Sequence, residues 1–287
     1  MKTIQLCWLF SYTKQAYYKR LNNKKGIDYK EVKSLVMSVR RHLPRAGGRK
    51  VYHMISGKLE AKGLKIGRDK LFTYLRSEHL LVPNRKKYHK TTNSKHWMRK
   101  YPDIIKDVEI KRPEQIWVAD ITYLQVKKKH YYLHLITDAY SKRIVGFELS
   151  DNMQAVTTLK ALNKAISERV YHEKLIHHSD RGLQYCSSIY TQTLIENGIK
   201  ISITQEYDPY ENAVAERVNG ILKAEFGLDS MFENYELLEL QTIQSIALYN
   251  QLRPHLSISL LTPNQAHKQS EIKLKKWKQK TYTKLMI

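Results

Sequence analysis

Three carboxylates are set apart by their surroundings. Asp120 lies in WVADITY, Asp180 in HHSDRGLQY and Glu216 in ENAVAERVNGILK, each in a segment marked by tyrosine, glycine or asparagine at the edge of a regular element. A chain with 27 acids holds many triplets at any chosen spacing, so the context carries the weight. Converging acids suit phosphodiester chemistry, in which two metal ions roughly 3.5 to 4 Å apart clamp the attacking and leaving oxygens without a covalent protein nucleophile. Mg²⁺ or Mn²⁺ takes oxygen ligands, and Mg²⁺ keeps several waters, so two or three carboxylates suffice. The expectation is that Asp120, Asp180 and Glu216 are both the catalytic and the metal-binding residues, holding two such ions. Lys223 falls seven residues after Glu216, on the same face of a helix.

Other side chains invite blander readings. His177 and His178 precede the second acid, as metal ligands or as hydrogen-bonding support. His130 and His134 share one face of a strand, but no cysteine or third histidine joins them, which argues against zinc. Asp138 reads as a structural hydrogen-bond acceptor, and Trp117 as a core anchor rather than a base-stacking platform.

The acids need a scaffold that brings distant segments together. β-Branched and aromatic runs at 116–126, 131–137 and 144–149 predict three sequential antiparallel strands. A helix over 155–170, a short strand at 175–177, a helix at 189–196, a strand at 200–203, a helix from about 212 and a long helix over 237–249 follow. The order β, β, β, α, β, α, β, α, α predicts an α/β fold, a ribonuclease H-like mixed sheet with flanking helices. Neighbouring strands lie about 4.8 Å apart, so an acid on the first strand meets one at the end of the fourth if those two are adjacent.

Ahead of this core, residues 1–82 read as short helices. Leu6, Leu9, Phe10 and Tyr17 are the expected apolar positions of the first, with Thr13 capping 14–20. Later stretches around Val32–Val39, Val51–Leu59 and Leu71–Leu80, separated by glycines, suggest an all-α helix-turn-helix DNA-binding region. The helix after Gly63 and Gly67 would be its reader, with Arg68, Lys70 and Arg76 as DNA contacts. Residues 83–112 read as a basic linker, 113–268 as the catalytic core and 269–287 as a basic tail.

Charge agrees with a polyanionic partner. The chain carries 50 Lys and Arg against 27 Asp and Glu, net +23; residues 1–110 alone hold 27 basic and 8 acidic residues. Each neutralised phosphate releases a condensed counterion, so double-stranded DNA is the expected partner. Two distant cysteines and no CxxC pair predict a reducing compartment, and the absence of a long apolar run predicts no membrane span. A cytoplasmic, nucleoid-associated bacterial protein is the expectation.

The motifs also resemble a known family, the insertion-sequence DDE transposases of the downstream-frame (OrfB) type, which share a catalytic core with retroviral integrases. LCWLFSYTKQAYYKR is similar to their opening, WVADITY and HSDRGLQY to their first two motifs, and YNQLRPH followed by LTP to their closing one. The 35 residues between Asp180 and Glu216 match the D,D-35-E signature. The resemblance implies DNA strand cleavage followed by 3′-hydroxyl attack on a phosphodiester, with an element circle before insertion. It implies that Lys223 holds the DNA end and that His178 supports the site; Arg181 is counted with the DNA-binding residues and Asn212 with the supporting ones. It further implies a homo-oligomer on DNA and an upstream-frame (OrfA-type) partner supplying end recognition. One departure stands out: Tyr207-Asp208-Pro209 replaces the family's usual Gly-Asn-Cys type loop before the third acid. Two other readings remain open, a ribonuclease H-like nuclease that does not join strands and a catalytically silent DNA-binding regulator.

Overall fold

The computed structural model describes residues 3–22, 27–83, 101–106, 108–204, 213–272 and 274. They form two compact units, one of residues 1–41 and 47–81, the other of residues 42–46 and 82–287.

The second unit is organised by the alternation along β1 (Ile116–Val126). Successive side chains of a strand point to opposite faces. Trp117 and Ala119 therefore enter one apolar cluster, while Ile116 and Val118 enter another. β2 (Lys129–Asp138) pairs antiparallel with β1, and β3 (Ile144–Ser150) antiparallel with β2. After α6 (Ala155–Ser167), β4 (Ile176–Ser179) runs parallel to β1; after α7 (Ser188–Glu196), β5 (Lys200–Ile203) runs parallel to β4. The order β3-β2-β1-β4-β5, three antiparallel strands extended by two parallel ones, is the ribonuclease H-like mixed sheet that the element order predicts.

α6 and α7 cover the Trp117 face. Their buried residues Ala161, Leu162, Ala165, Tyr190 and Leu194 complete that cluster. The approach is close: a Cβ on Gly146 of β3 would lie 2.3 Å from the Ala161 carbonyl oxygen, so only glycine fits there. α8 (Ala213–Phe226) covers the other face through Val214 and Ala215. Ile105, Val108 and Ile110 pack there too, so part of the expected 83–112 linker belongs to the core; its branched apolar residues have a surface to bury against.

β6 (Met231–Phe232), a two-residue strand absent from the expected order, pairs with Gln125 and Val126. β4 pairs with β1 only from Ile116 to Val118. Among the described residues, the β1 edge between these two short partners is left without a strand. α9 (Tyr235–Leu252) is then pinned by the closing motif: Asn250 exchanges two 3.0 Å hydrogen bonds with the backbone of Ile144, Tyr249 donates to the Lys142 carbonyl at 2.8 Å, and Arg253 forks onto Glu225 at 2.7 and 2.9 Å. α10 (Pro263–His267) begins with a capping box between Thr262 and Gln265, with Pro263 in its first turn.

The helix expected over 155–170 stops at Ser167, and the long helix begins two residues before its expected range and ends three after it, from Tyr235 to Leu252. The tail from 275 and the loop at 205–212 lie outside the described residues.

In the first unit, α1 (Thr3–Leu9) and α2 (Lys14–Asn22) precede α3 (Tyr29–His42), α4 (Gly48–Ala61) and α5 (Arg68–Ser77). Thr13 caps α2 as expected, its Oγ1 accepting the Ala16 N–H at 3.1 Å. The expected apolar positions of the opening are not core: Leu6, Leu9, Phe10 and Tyr17 are all exposed, and Cys7 is the buried residue of α1. In that run of adjacent apolar residues, one helix face cannot bury them all. The later periodicity does bury: Val32, Val36 and Val39 on α3, Val51, Ile55 and Leu59 on α4, Leu71 and Leu75 on α5. Gly63, at φ +68°, ends the α4 turn, and Gly48 faces the Phe72 ring so closely that a Cβ would lie 2.8 Å from it.

Candidate active site

Asp120 is an even-numbered residue of β1 and so stands on the α8 face, beyond Ile116 and Val118. The parallel register matches Val118 with His178. The pairing ends there, two residues before Asp120 and Asp180, and the Asp180 carboxylate is near enough to act on Asp120 electrostatically. Asp180 follows the last residue of β4 and turns its chain, its Oδ1 accepting the Gly182 N–H at 3.0 Å.

α8 supplies the third side. Glu216 is exposed in its first turn, and residues 216, 219 and 223 are three and four apart, one stripe of the helix. Asn219, buried on that stripe, donates from Nδ2 to Asp120 Oδ2 at 2.7 Å, while the Ile121 N–H holds Asp120 Oδ1 at 2.9 Å. Both oxygens of Asp120 are thereby oriented. Burial first, then the Asp180 carboxylate and, more weakly, Glu216 push the Asp120 pKa up to about 7, against the pull of the Asn219 and Ile121 hydrogen bonds. Asp120 thus feels both of the other acids. Among the described residues, no group of three His, Cys, Asp or Glu side chains is arranged to hold a metal ion as it stands.

Lys223 is half-buried rather than on a solvated face; burial lowers its pKa and the Asp120 carboxylate raises it, with burial the larger. Arg181 is also half-buried, and its Nε donates to the Thr204 carbonyl at 2.7 Å, bracing the ends of β4 and β5. His178 pairs through Nδ1 with Ser202 Oγ at 2.9 Å, two residues before Asp180. His177 points to the opposite face, where the Tyr190 hydroxyl meets its Nε2 at 2.9 Å and burial drives its pKa down to about 3. It is a neutral core histidine.

His134 has both ring nitrogens engaged, with Thr158 Oγ1 at 3.0 Å and the Asn152 carbonyl at 3.2 Å, whereas His130 is exposed. Asp138 accepts from the Glu114 and Ser141 N–H groups, both at 2.7 Å, and from the Ser141 hydroxyl, the structural role expected of it. Trp117 is fully buried, as a core anchor should be. Asn212 and the Tyr207-Asp208-Pro209 loop lie outside the described residues.

Arg68, Lys70 and Arg76 are all exposed on α5, and Arg68 pairs with Asp69 at 2.9 Å. At about 100° per residue, Lys70 stands roughly on the opposite side of the helix from Arg68.

Asn219 was not singled out by sequence reasoning, although its place between Glu216 and Lys223 on one stripe was a usable signal. Tyr185 is the other omission. It is buried, its hydroxyl has no hydrogen-bond partner among the described residues, and burial together with the Asp180 and Asp120 charges raises its pKa.

Comparison with known proteins places the same region in a family. A family model described as "Integrase core domain" matches residues 110–209, and a second with that description matches 197–263. The "Insertion element IS600 uncharacterized 31 kDa protein" of Shigella sonnei is 28% identical over 90% of this chain and 96% of its own. The transposase for insertion sequence element IS904 of Lactococcus lactis subsp. lactis (strain IL1403) is 30% identical over 61% of this chain and 72% of its own. Alignments with several other curated transposases span about half of their length, 53% in each. Among solved structures, the HTLV-2 integrase catalytic core domain in complex with magnesium matches at a TM-score of 0.45 and 26% identity, over 54% of this chain and 97% of that one.

Proposed function

The chain belongs to the insertion-sequence transposases with an integrase core, enzymes of DNA transposition by polynucleotidyl transfer, and on that premise we propose that Asp120, Asp180 and Glu216 are its catalytic, metal-binding acids. The observation that supports the assignment is the environment of Asp120, which is hydrogen-bonded from α8 through Asn219 and whose pKa the Asp180 and Glu216 charges, with burial, help raise to about 7.

An integrase core implies a divalent metal, and the donor set fits one: carboxylate oxygens, with neighbouring acids raising the pKa of Asp120 against its two hydrogen bonds. When bound, two Mg²⁺ or Mn²⁺ ions held by Asp120, Asp180 and Glu216 would supply Lewis-acid activation of a hydroxyl and charge neutralisation at phosphorus. The protein's own groups do the positioning. Asn219 Nδ2 and the Ile121 N–H fix the two oxygens of Asp120, and the Gly182 N–H fixes Asp180 Oδ1. Lys223, beside Asp120, meets a phosphate of the DNA end. In the first step water adds to phosphorus and a 3′-oxygen leaves as a hydroxyl; in the second that hydroxyl attacks a target phosphodiester in line and the target's own 3′-oxygen leaves.

In this reading residues 1–82 serve DNA binding through α4 and α5, with Arg68, Lys70 and Arg76 contacting phosphates on different sides of α5. Residues 83–100 form a basic linker, the catalytic core starts near Tyr101 and runs to 268, and 269–287 add a basic tail. Two copies, one at each element end, act together, and an upstream-frame product supplies end specificity. No described helix is long and apolar enough to cross a membrane.

The test is Mg²⁺-dependent cleavage and joining of oligonucleotides bearing the element's ends, with and without the upstream product. Joining of a precut 3′-hydroxyl end that is lost in Asp120→Asn is the expected result. Cleavage without joining would instead mark a nuclease, and joining that survives Asp120→Asn would overturn the assignment of the acids.

A further inference from the structure

The outer part of the hairpin joining β1 to β2 is solvent-exposed at its turn. Tyr123, Gln125, Lys127, Lys128 and His130 are exposed, and Tyr132 is half-buried beside them. The aromatic rings form a cluster, Tyr123 edge-on to Tyr132 at 5.3 Å and to His130 at 6.4 Å. Val126 pairs with Lys129, so Lys127 and Lys128 are the two residues of the turn. The first position of such a turn favours glycine when φ is positive; here a lysine sits at φ 49°. The turn is also fastened on both sides: the Lys127 N–H donates to the Phe232 carbonyl at 3.0 Å, and its carbonyl accepts from Gln125 Nε2 at 2.9 Å. Lys129 is neutralised by Asp151 at 3.1 Å, whereas Lys127 and Lys128 have no ion pair among the described residues.

A fastened turn that presents two lysines without an ion pair among the described residues has the chemistry of a phosphate-backbone contact, whereas the rings beside it lie on the odd-numbered face, opposite Asp120, and take no part in holding a duplex at the acids. The turn's distance from the acids is set by the strand they share. Six residues separate Asp120 from Val126. At about 3.3 Å each this is roughly 20 Å, the rise of about six base pairs. We propose that the β1–β2 hairpin tip is a second DNA contact, gripping the backbone of a duplex whose reacting end lies at Asp120, about six base pairs away. The proposal rests on the active-site reading above.

Disulfide crosslinking tests it in the full chain, using Lys128→Cys and duplexes carrying a thiol tether at stepped positions, in Ca²⁺ so that no strand is cut. Crosslinking should peak with the tether about five to seven base pairs from the reacting 3′ end; separate arms place the tether on the element-end duplex or on the target duplex and identify which one the hairpin holds. A flat profile in both arms, or no crosslink in either, overturns the proposal. A parallel Lys223→Cys arm, tethered at the end itself, reports on the acid site independently, so failure of one reading is distinguishable from failure of the other. The double variant Lys127→Gln and Lys128→Gln should lower the slope of log affinity against log salt by about two, one per lost phosphate contact. An unchanged slope accompanied by loss of self-association would assign the tip to a protein partner and overturn the proposal.

Discussion

The two faces of β1 divide the labour of the molecule residue by residue. On the odd-numbered face Trp117 and Ala119 enter a dry cluster sealed by α6 and α7, tight enough that Gly146 tolerates no side chain. On the even-numbered face the strand has a small apolar base at Ile116 and Val118, then Asp120, whose neighbours are Asn219, Lys223 and two further acids. Apolar burial stabilises the fold, whereas gathering like charges in a partly desolvated place opposes it. One strand can do both because alternate side chains never meet.

Substitutions on the two faces should therefore separate activity from stability. Asp120→Asn is expected to reduce strand joining at least about a thousandfold, ~4 kcal/mol of transition-state stabilisation, in an oligonucleotide assay. Its melting temperature at neutral pH should stay level or rise, because a repelled charge is removed; a large fall would deny the division. Trp117→Ala, one residue-pair away on the other face, should cost about 3–5 kcal/mol in denaturant unfolding. Any folded fraction of that variant should keep its metal dependence.

Asn219→Ala sharpens the boundary, since Asn219 acts only through Asp120. Joining should fall roughly 10- to 100-fold, as expected when a group that orients a metal ligand is removed. The cation concentration needed for half-maximal activity should rise, and unfolding should be little changed; a stability loss without a shift in cation dependence would make Asn219 a packing residue.

The smallest effect lies outside both faces. Glu114 is fully buried, and accepts from the Tyr171 N–H at 2.7 Å and faces His267 Nε2 at 3.3 Å. Burial lowers the His267 pKa, but its hydrogen bonds to Asp138 and Glu114 outweigh this and hold it raised. For Glu114, burial works upward while His267 and the backbone N–H groups hold it lowered. A raised histidine contributes stability fully below its ordinary value of 6.5 and loses it as pH climbs through the folded value; a lowered glutamate contributes above 4.5 and loses it as pH falls. The pair should brace α10 best between those two values. His267→Gln should flatten the decline of stability above pH 6.5, a change on the order of 1 kcal/mol, one hydrogen bond in size.

Much of this arrangement was legible in the residues, because period-two burial and branched side chains mark strands wherever one face is packed. The strand carrying Asp120 and the one ending just before Asp180 were legible for that reason, and so was the face of α8 that carries Lys223. What escaped notice was set by tertiary partners. β6 is two residues long and exists only because β1 offers an open edge. Asn219 has no distinctive neighbours in sequence, and its importance lies in a bond to a residue 99 positions away. Ile105, Val108 and Ile110 sit in a basic stretch whose charge hid the apolar alternation. The opening helix failed in the other direction, as a run of hydrophobic residues signalled burial that its surroundings do not provide.

The stretch of β1 between β4 and β6, without a partner strand among the described residues, has an evolutionary corollary. Because it is bounded by strands that end early, two or three more paired residues after Ser179 would shut it as a shutter closes a window, leaving sheet order and core intact. Because Asp180 is the first residue past β4, any such extension would have to pass through one of the three acids.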